Sequence, residues 1–137
     1  REILSNFKYR KNKAVIHSDE SAMPKNRKAW CSWNSSLNPN NNQQSSVTYW
    51  LNQLQNLKIN KNIFLTINPF FNINPDLIHN MIDFTHPYYD EKALNNQSKL
   101  SSIQNINNTL YAGSYFGYGF HEDGIKSSIE MLKTLND

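Results

Sequence analysis

All four glycines of the chain, Gly113, Gly117, Gly119 and Gly124, fall within the stretch Ala112-Gly-Ser-Tyr-Phe-Gly-Tyr-Gly-Phe-His-Glu-Asp-Gly124. Glycine in regular structure costs roughly 0.5–1 kcal/mol relative to alanine, so such a cluster implies positive φ angles or close approach of another body to the backbone. A strand, a glycine turn and a helix start, in that order, aim unpaired backbone N–H groups at a ligand. A bare phosphate does not suit this turn, because Glu122 and Asp123 repel it and no Lys or Arg lies between Gly113 and Gly124. A polarised carbonyl edge suits it better, and the pyrimidine end of a flavin is such an edge. Amides at a helix N-terminus donate to its C2 carbonyl and stabilise the negative charge that builds near N1 on reduction. Tyr115, Phe116, Tyr118 and Phe120 offer aromatic surface to the flat ring. The plain alternative is a strand-to-helix connection whose glycines only permit a tight turn. His121, Glu122 and Asp123 make a poor metal site, since three consecutive side chains on a turn do not converge on one ion.

The elements that must position this turn read as a mixture of strands and helices. Ala14-Val15-Ile16 and Ala29 to Trp33 are predicted strands. A polar stretch rich in Asn, Gln and Ser separates them from Val47 to Leu51, which suggests a hairpin with a long tip. Asn62 to Asn68, closed by Pro69, completes four successive strands, the pattern of an antiparallel sheet. Asn74-Pro75 starts a short helix through His79, and Met81 to Phe84 returns to strand. Asp90 caps a helix with Ala93, Gln97, Leu100 and Ile103 on one face. Thr109 to Ala112 is the last strand. The final helix carries the stripe Ile125, Ile129, Leu132 and Leu135, with acids in its first turn and Lys133 near its end.

A length of 137 residues suits one domain with a modest core, since 38% of the residues are hydrophobic and mean hydropathy is −0.71. The formal charge of +3 is spread along the chain, so no nucleic acid is implied. The densest basic run, Lys8, Arg10, Lys11 and Lys13, reads as a solvated turn, with peripheral contact to lipid head groups as the alternative. One cysteine, Cys31, excludes an internal disulfide and fits a reducing, cytoplasmic setting. No apolar stretch approaches the ~20 residues that cross a bilayer, and no signal peptide is visible. The chain begins with Arg1 and opens as if inside an amphipathic helix, which is how a fragment begins.

Tyr-Ala-Gly-Ser-Tyr-Phe-Gly-Tyr-Gly-Phe-His-Glu-Asp-Gly resembles the C-terminal signature of predicted NAD/FAD-binding proteins within the flavin-containing amine oxidase superfamily. The likeness runs upstream through Ala14 to Asp19, Met23-Pro24, Ala29 to Asn34, Val47 to Gln55, Thr66 to Pro69 and His86-Pro87. It departs at Asn38 to Gln44, longer and richer in asparagine, and at Ser128, where glycine is common.

The resemblance implies the C-terminal fragment of an FAD-dependent oxidoreductase. Its Gly-x-Gly-x-x-Gly turn for the FAD pyrophosphate would lie in an N-terminal Rossmann half that this sequence lacks. Residues 1–106 would supply antiparallel strands and short helices of the substrate domain. Residues 107–137 would supply the final strand, glycine turn and helix of the FAD-binding domain. Gly113, Gly117, Tyr118, Gly119, Phe120, His121, Glu122, Asp123 and Gly124 would form the cofactor-binding segment, with the His121 or Glu122 amide near the flavin carbonyl. The donor of the hydride equivalent is expected to be an amine or a fatty acyl chain, and Trp30, Trp33, Tyr49, Trp50 and His86 are the candidate substrate residues. His17 and His86 read primarily as structural histidines, and no residue is assigned a catalytic role. The rival readings are an interaction module with an aromatic-bearing sheet and a metal hydrolase using His86, His121 and Asp123.

Overall fold

Short apolar runs set between polar ones become strands wherever alternate side chains can share a covered face. The computed structural model describes residues 2–135 and has α+β architecture. Strands β1 (Lys8–His17), β2 (Trp33–Asn38), β3 (Asn41–Trp50), β4 (Phe64–Ile67) and β5 (Ile78–Tyr88) lie in the sheet order β2-β3-β4-β1-β5. The β2–β3, β3–β4 and β4–β1 pairs are antiparallel, as the pattern of the first half predicts. The helices are α1 (Leu51–Leu54), α2 (Glu91–Gln97) and α3 (His121–Lys133). Among the described residues no helix is long and apolar enough to cross a membrane. The chain divides into two compact units, Lys11–Phe84 and a terminal unit of Arg1–Arg10 with Thr85–Asp137.

In the 11–84 unit, register places Asn34, Thr48, Thr66 and Val15 in one row across β2, β3, β4 and β1. Trp50, Phe64 and His17 form the next row on the same face, because residues two apart in a strand point the same way. All of these are buried except the half-buried Trp50. Trp30 packs edge-on against Trp50 and Phe64, at 5.3 and 5.8 Å between ring centroids. The opposite face carries the row Trp33, Tyr49, Leu65 and Ile16, none of it buried.

Several local expectations are corrected here. Of Ala29 to Trp33 only Trp33 is strand, as the first residue of β2: Asn26 caps a single 3-10 turn at Arg27–Ala29. The Asn34 side chain then takes both backbone groups of Cys31, the groups a strand would use. The long hairpin tip is replaced by a tight one, with Asn38 opposite Asn41 and β3 starting at Asn41. Asparagine chemistry explains the difference. Asn38 Oδ1 accepts the Asn40 amide and Asn38 Nδ2 donates to Gln44, so residues that read as loop-formers hold the turn and pair across it. Leu51 leaves the strand to begin α1. The helix capped by Asn74 ends at Leu77, and β5 begins at Ile78.

In the terminal unit, Asp90 Oδ1 accepts the Ala93 amide and caps α2 as predicted. Ala93 and Leu100 are fully buried, although α2 ends at Gln97 and a separate 3-10 turn carries Leu100–Ile103. The expected strand from Thr109 to Ala112 is absent, leaving an isolated bridge between Ile106 and Thr109. Asn105, Asn107 and Asn108 adopt left-handed φ angles of 53–56°, which folds the chain into turns where a strand would start. Beyond them the Tyr111 backbone is held at both its N–H and C=O by the Gln104 side-chain amide, which substitutes for a neighbouring strand. Helix α3 starts at His121, with Glu122 and Asp123 in its first turn and Lys133 in its last. Its stripe Ile125, Ile129, Leu132, followed by Leu135, is 52–56% exposed, while Ser127 is the buried residue of the helix.

Candidate functional site

The glycine segment is drawn tight by side chains that reach its backbone. The Gly113 amide donates to Ser127 Oγ at 2.9 Å, and Ser127 Oγ donates to the Gly124 carbonyl at 2.7 Å. Gln97 Nε2 donates to the carbonyls of Tyr115 and Gly117, while the Gly117 and Gly119 amides close back on the Ser114 carbonyl. Asp123 Oδ2 accepts the Tyr118 amide at 2.9 Å and the Phe120 amide at 3.0 Å. From Gly117 to Gly124, only His121 and Glu122 present amides with no acceptor among the described residues.

These two amides are consecutive at the start of α3, a helix of 13 residues whose dipole places partial positive charge there. His121 and Glu122 are exposed, and so are the rings of Tyr118 and Phe120 beside them. The mouth of α3 therefore offers two unpaired donors next to the exposed aromatic residues Tyr118 and Phe120, with Glu122 and Asp123 in the same turn. That combination suits a neutral carbonyl better than an anion.

Two glycines are required by what approaches them. Gly117 leaves room for the Asp123 carboxylate, which a Cβ at that position would overlap. Gly119 has φ +95°, and a Cβ there would stand 2.9 Å from the Tyr89 hydroxyl. Burial raises the Tyr89 pKa, with a hydrogen bond from the Ser114 side chain acting in the opposite sense. Gly119→Ala is expected to cost about 1–3 kcal/mol through the strained backbone, read as a fall in the denaturant midpoint. A change within error would show that the turn relaxes freely.

Gln97 is the contributor that pattern reading misses. Gln97 belongs to the inward series with Ala93 and Leu100, and a polar side chain in such a series signals backbone groups that need a partner. Asp123 reads as a first-turn acid, but its carboxylate reaches back over the turn. A cavity of about 410 Å³ has Gln97, Ser101, Gln104, Phe116, Ser127 and Met131 among its lining residues.

The aromatic candidates are not brought together. Tyr49 and Trp50 are neighbours in β3 and so point to opposite faces. Trp33 pairs with Tyr49 on the open face at 5.3 Å between centroids, whereas Trp30 and Trp50 pack on the covered face with Phe64. His86 lies exposed in β5 and belongs to the terminal unit, whereas the other four are in the 11–84 unit.

His17 is fully buried and accepts the Asp19 amide at Nδ1, at 3.1 Å. Its proton therefore resides on Nε2, which donates to Thr66 Oγ1 at 2.8 Å. Thr66 in turn bonds Thr48 at 2.9 Å. Burial holds the His17 pKa below its ordinary value, against the opposing pull of the Asp19 charge. Among the described residues no three His, Cys, Asp or Glu side chains converge as a metal site. No family model and no curated protein matches this sequence.

Proposed function

We propose that this chain is the C-terminal part of an FAD-dependent oxidoreductase of the amine-oxidase type, with the mouth of α3 meeting the flavin ring. The observation that carries the reading is the adjacent pair of unpaired amides at His121 and Glu122, in a segment where every other amide from Gly117 to Gly124 is bonded internally. The collinear likeness from Ala14 to Gly124 supports the same assignment. The donor set fits the cofactor's carbonyl edge: two amides, no cation, and carboxylates that disfavour a phosphate.

His121 and Glu122 would hold the flavin carbonyl through their amides, Gly119 would permit close approach, and Phe120 and Tyr118 would cover the ring against water. Flavin, when bound, accepts a hydride equivalent from an amine or a fatty acyl chain. Trp33 and Tyr49 present an open aromatic pair within the 11–84 unit. The pyrophosphate and ribose of FAD would be held by the Rossmann half of the complete polypeptide.

The test is the visible spectrum and flavin fluorescence of the complete polypeptide after purification. A yellow protein with bound FAD is expected. A colourless protein that ignores added FAD would favour the second reading, an interaction module. That reading draws support from the unburied row Trp33, Tyr49, Leu65 and Ile16, in which Trp33 is 64% exposed.

A further inference from the structure

We propose that the free edge of β2 pairs with the β2 edge of a second copy of this chain, antiparallel and centred on Ser35, so that the two sheets become continuous. The proposal stands on the 11–84 unit alone and does not use the flavin reading. β2 lies at one end of the sheet order and is paired with β3 alone. The Trp50 amide donates to the Ser32 carbonyl, and register sets Trp33 opposite Tyr49. Backbone groups of an antiparallel pair alternate in direction along the strand, so those of Ser32, Asn34 and Ser36 turn toward β3. Those of Trp33, Ser35 and Leu37 turn outward, where the sheet order has no further strand among the described residues.

Sheet edges are ordinarily blunted by charge, proline or a bulge. β5, at the other end of the order, carries Asp83 and Pro87. Neither β2 nor its neighbour β3 contains a charged residue or a proline, and the register shift of β2 falls at its very end, between Leu37 and Asn38. The side chains of Trp33, Ser35 and Leu37 share the open face and are all exposed. Trp33 at 64% and Leu37 at 67% are the most exposed large apolar residues of the unit. Among the antiparallel pairings of this edge with itself, only the one centred on Ser35 engages all three outward positions of both copies. It sets Trp33 opposite Leu37 of the second copy, and Leu37 opposite Trp33 of the second copy, with the two Ser35 residues facing one another. Each of these pairs exchanges both of its N–H···O bonds, and the aromatic–aliphatic pairs cover each other's apolar surface. Strand pairing alone buries less than the about 1,200–2,000 Å² of a standard interface, so the dimer is reversible and concentration-dependent.

The experiment is sedimentation equilibrium of the complete polypeptide over a concentration series reaching about 1 mM. Wild type is expected to show a monomer–dimer equilibrium. Ser35→Lys and Ser35→Glu each set like charges directly across the two-fold, and each is expected to weaken the dimer at least about tenfold. Their denaturant midpoints should stay at the wild-type value, because Ser35 is exposed. An equimolar mixture of the two variants is expected to recover the association, since opposite charges then face one another. A wild type that stays monomeric throughout the series overturns the proposal, whether the edge is bare or covered by another part of the polypeptide. A dimer that neither substitution weakens overturns β2 as the contact, and a mixture that fails to recover it overturns the register centred on Ser35. FAD binding measured on the same samples reads the flavin assignment separately, so either can fail while the other stands.

Discussion

Phe64→Ala is expected to cost the 11–84 unit about 3–5 kcal/mol, the range for truncating a buried phenylalanine. Phe64 is the largest fully buried side chain, and its ring is packed by His17 at 5.6 Å and Trp30 at 5.8 Å. It opposes both His17 and Trp50 in register, so the cavity would open where the covered face is most tightly closed. The measurement is the denaturant midpoint followed through tryptophan fluorescence, because Trp30 and Trp50 report on this cluster. Phe64→Leu serves as the control that retains most of the volume. A loss below about 1 kcal/mol for the alanine variant would mean that the face is covered by something other than this cluster.

The second large effect is acid destabilisation in two steps. The folded-state pKa of His17 is depressed, so near neutrality the ring is neutral in both states and its contribution is intact. As pH falls below the ordinary histidine value of about 6.5, the unfolded chain takes up a proton that the folded chain resists. Stability then declines until pH passes the folded pKa. Protonation also places an N–H at Nδ1 facing the Asp19 amide, where none can be accepted. His79 adds repulsion from its own charge, and Asp19 partly opposes the trend.

Asp19 supplies the lower step. Burial pushes its pKa up, but amides from Asn74 and Ser21 and the charge of His17 outweigh that, and the carboxyl ends below its ordinary value. Its contribution is present above about pH 3.9 and is lost as pH falls through the folded value. Asp19→Ala would strand the Ser21 and Asn74 amides, at a cost of about 2–4 kcal/mol. It would remove the lower step while leaving the upper one. Stability curves measured from pH 7 to pH 3 check both, and a flat curve from pH 7 to pH 5 would contradict the neutral buried histidine.

What was legible in the sequence follows from local chemistry that tertiary structure reinforces. Asp90 and Asn74 were read as caps and are caps, and the acids and the lysine of α3 lie where the dipole favours them. Three strands of the antiparallel core, β1, β3 and β4, were legible because Val15, Phe64, Thr66 and Thr48 alternate with residues of the open face, whereas β2 lies after the segment expected to form it. Asparagine misled in both directions. At Asn38 to Gln44 it pairs across a hairpin instead of looping out, and at Asn105 to Asn108 it bends the chain where a strand was expected. The glycine turn was legible as a special backbone, but not the bonds that shape it. Gln97 acts on the Tyr115 and Gly117 carbonyls across 18 and 20 residues, a distance that no local spacing encodes. The two-faced placement of Tyr49 and Trp50 was implicit in the alternation of β3, yet the resemblance grouped them with Trp30 and Trp33 as one set of substrate residues.

The exposed stripe of α3 offers a simple corollary. Ile125, Ile129 and Leu132 have little to lose in the isolated chain, so polar substitutions there are expected to change its stability by no more than about 0.5 kcal/mol. In the complete polypeptide the same substitutions are expected to be destabilising, because the flavin reading places further protein against that face.

The most direct test is amide hydrogen exchange across residues 117–124 of the complete polypeptide, with and without FAD. The His121 and Glu122 amides should exchange quickly in the free protein and slow markedly when FAD is bound, while Tyr118 and Phe120 remain slow in both states. Unchanged exchange at His121 and Glu122 on addition of FAD would contradict the role assigned to the mouth of α3.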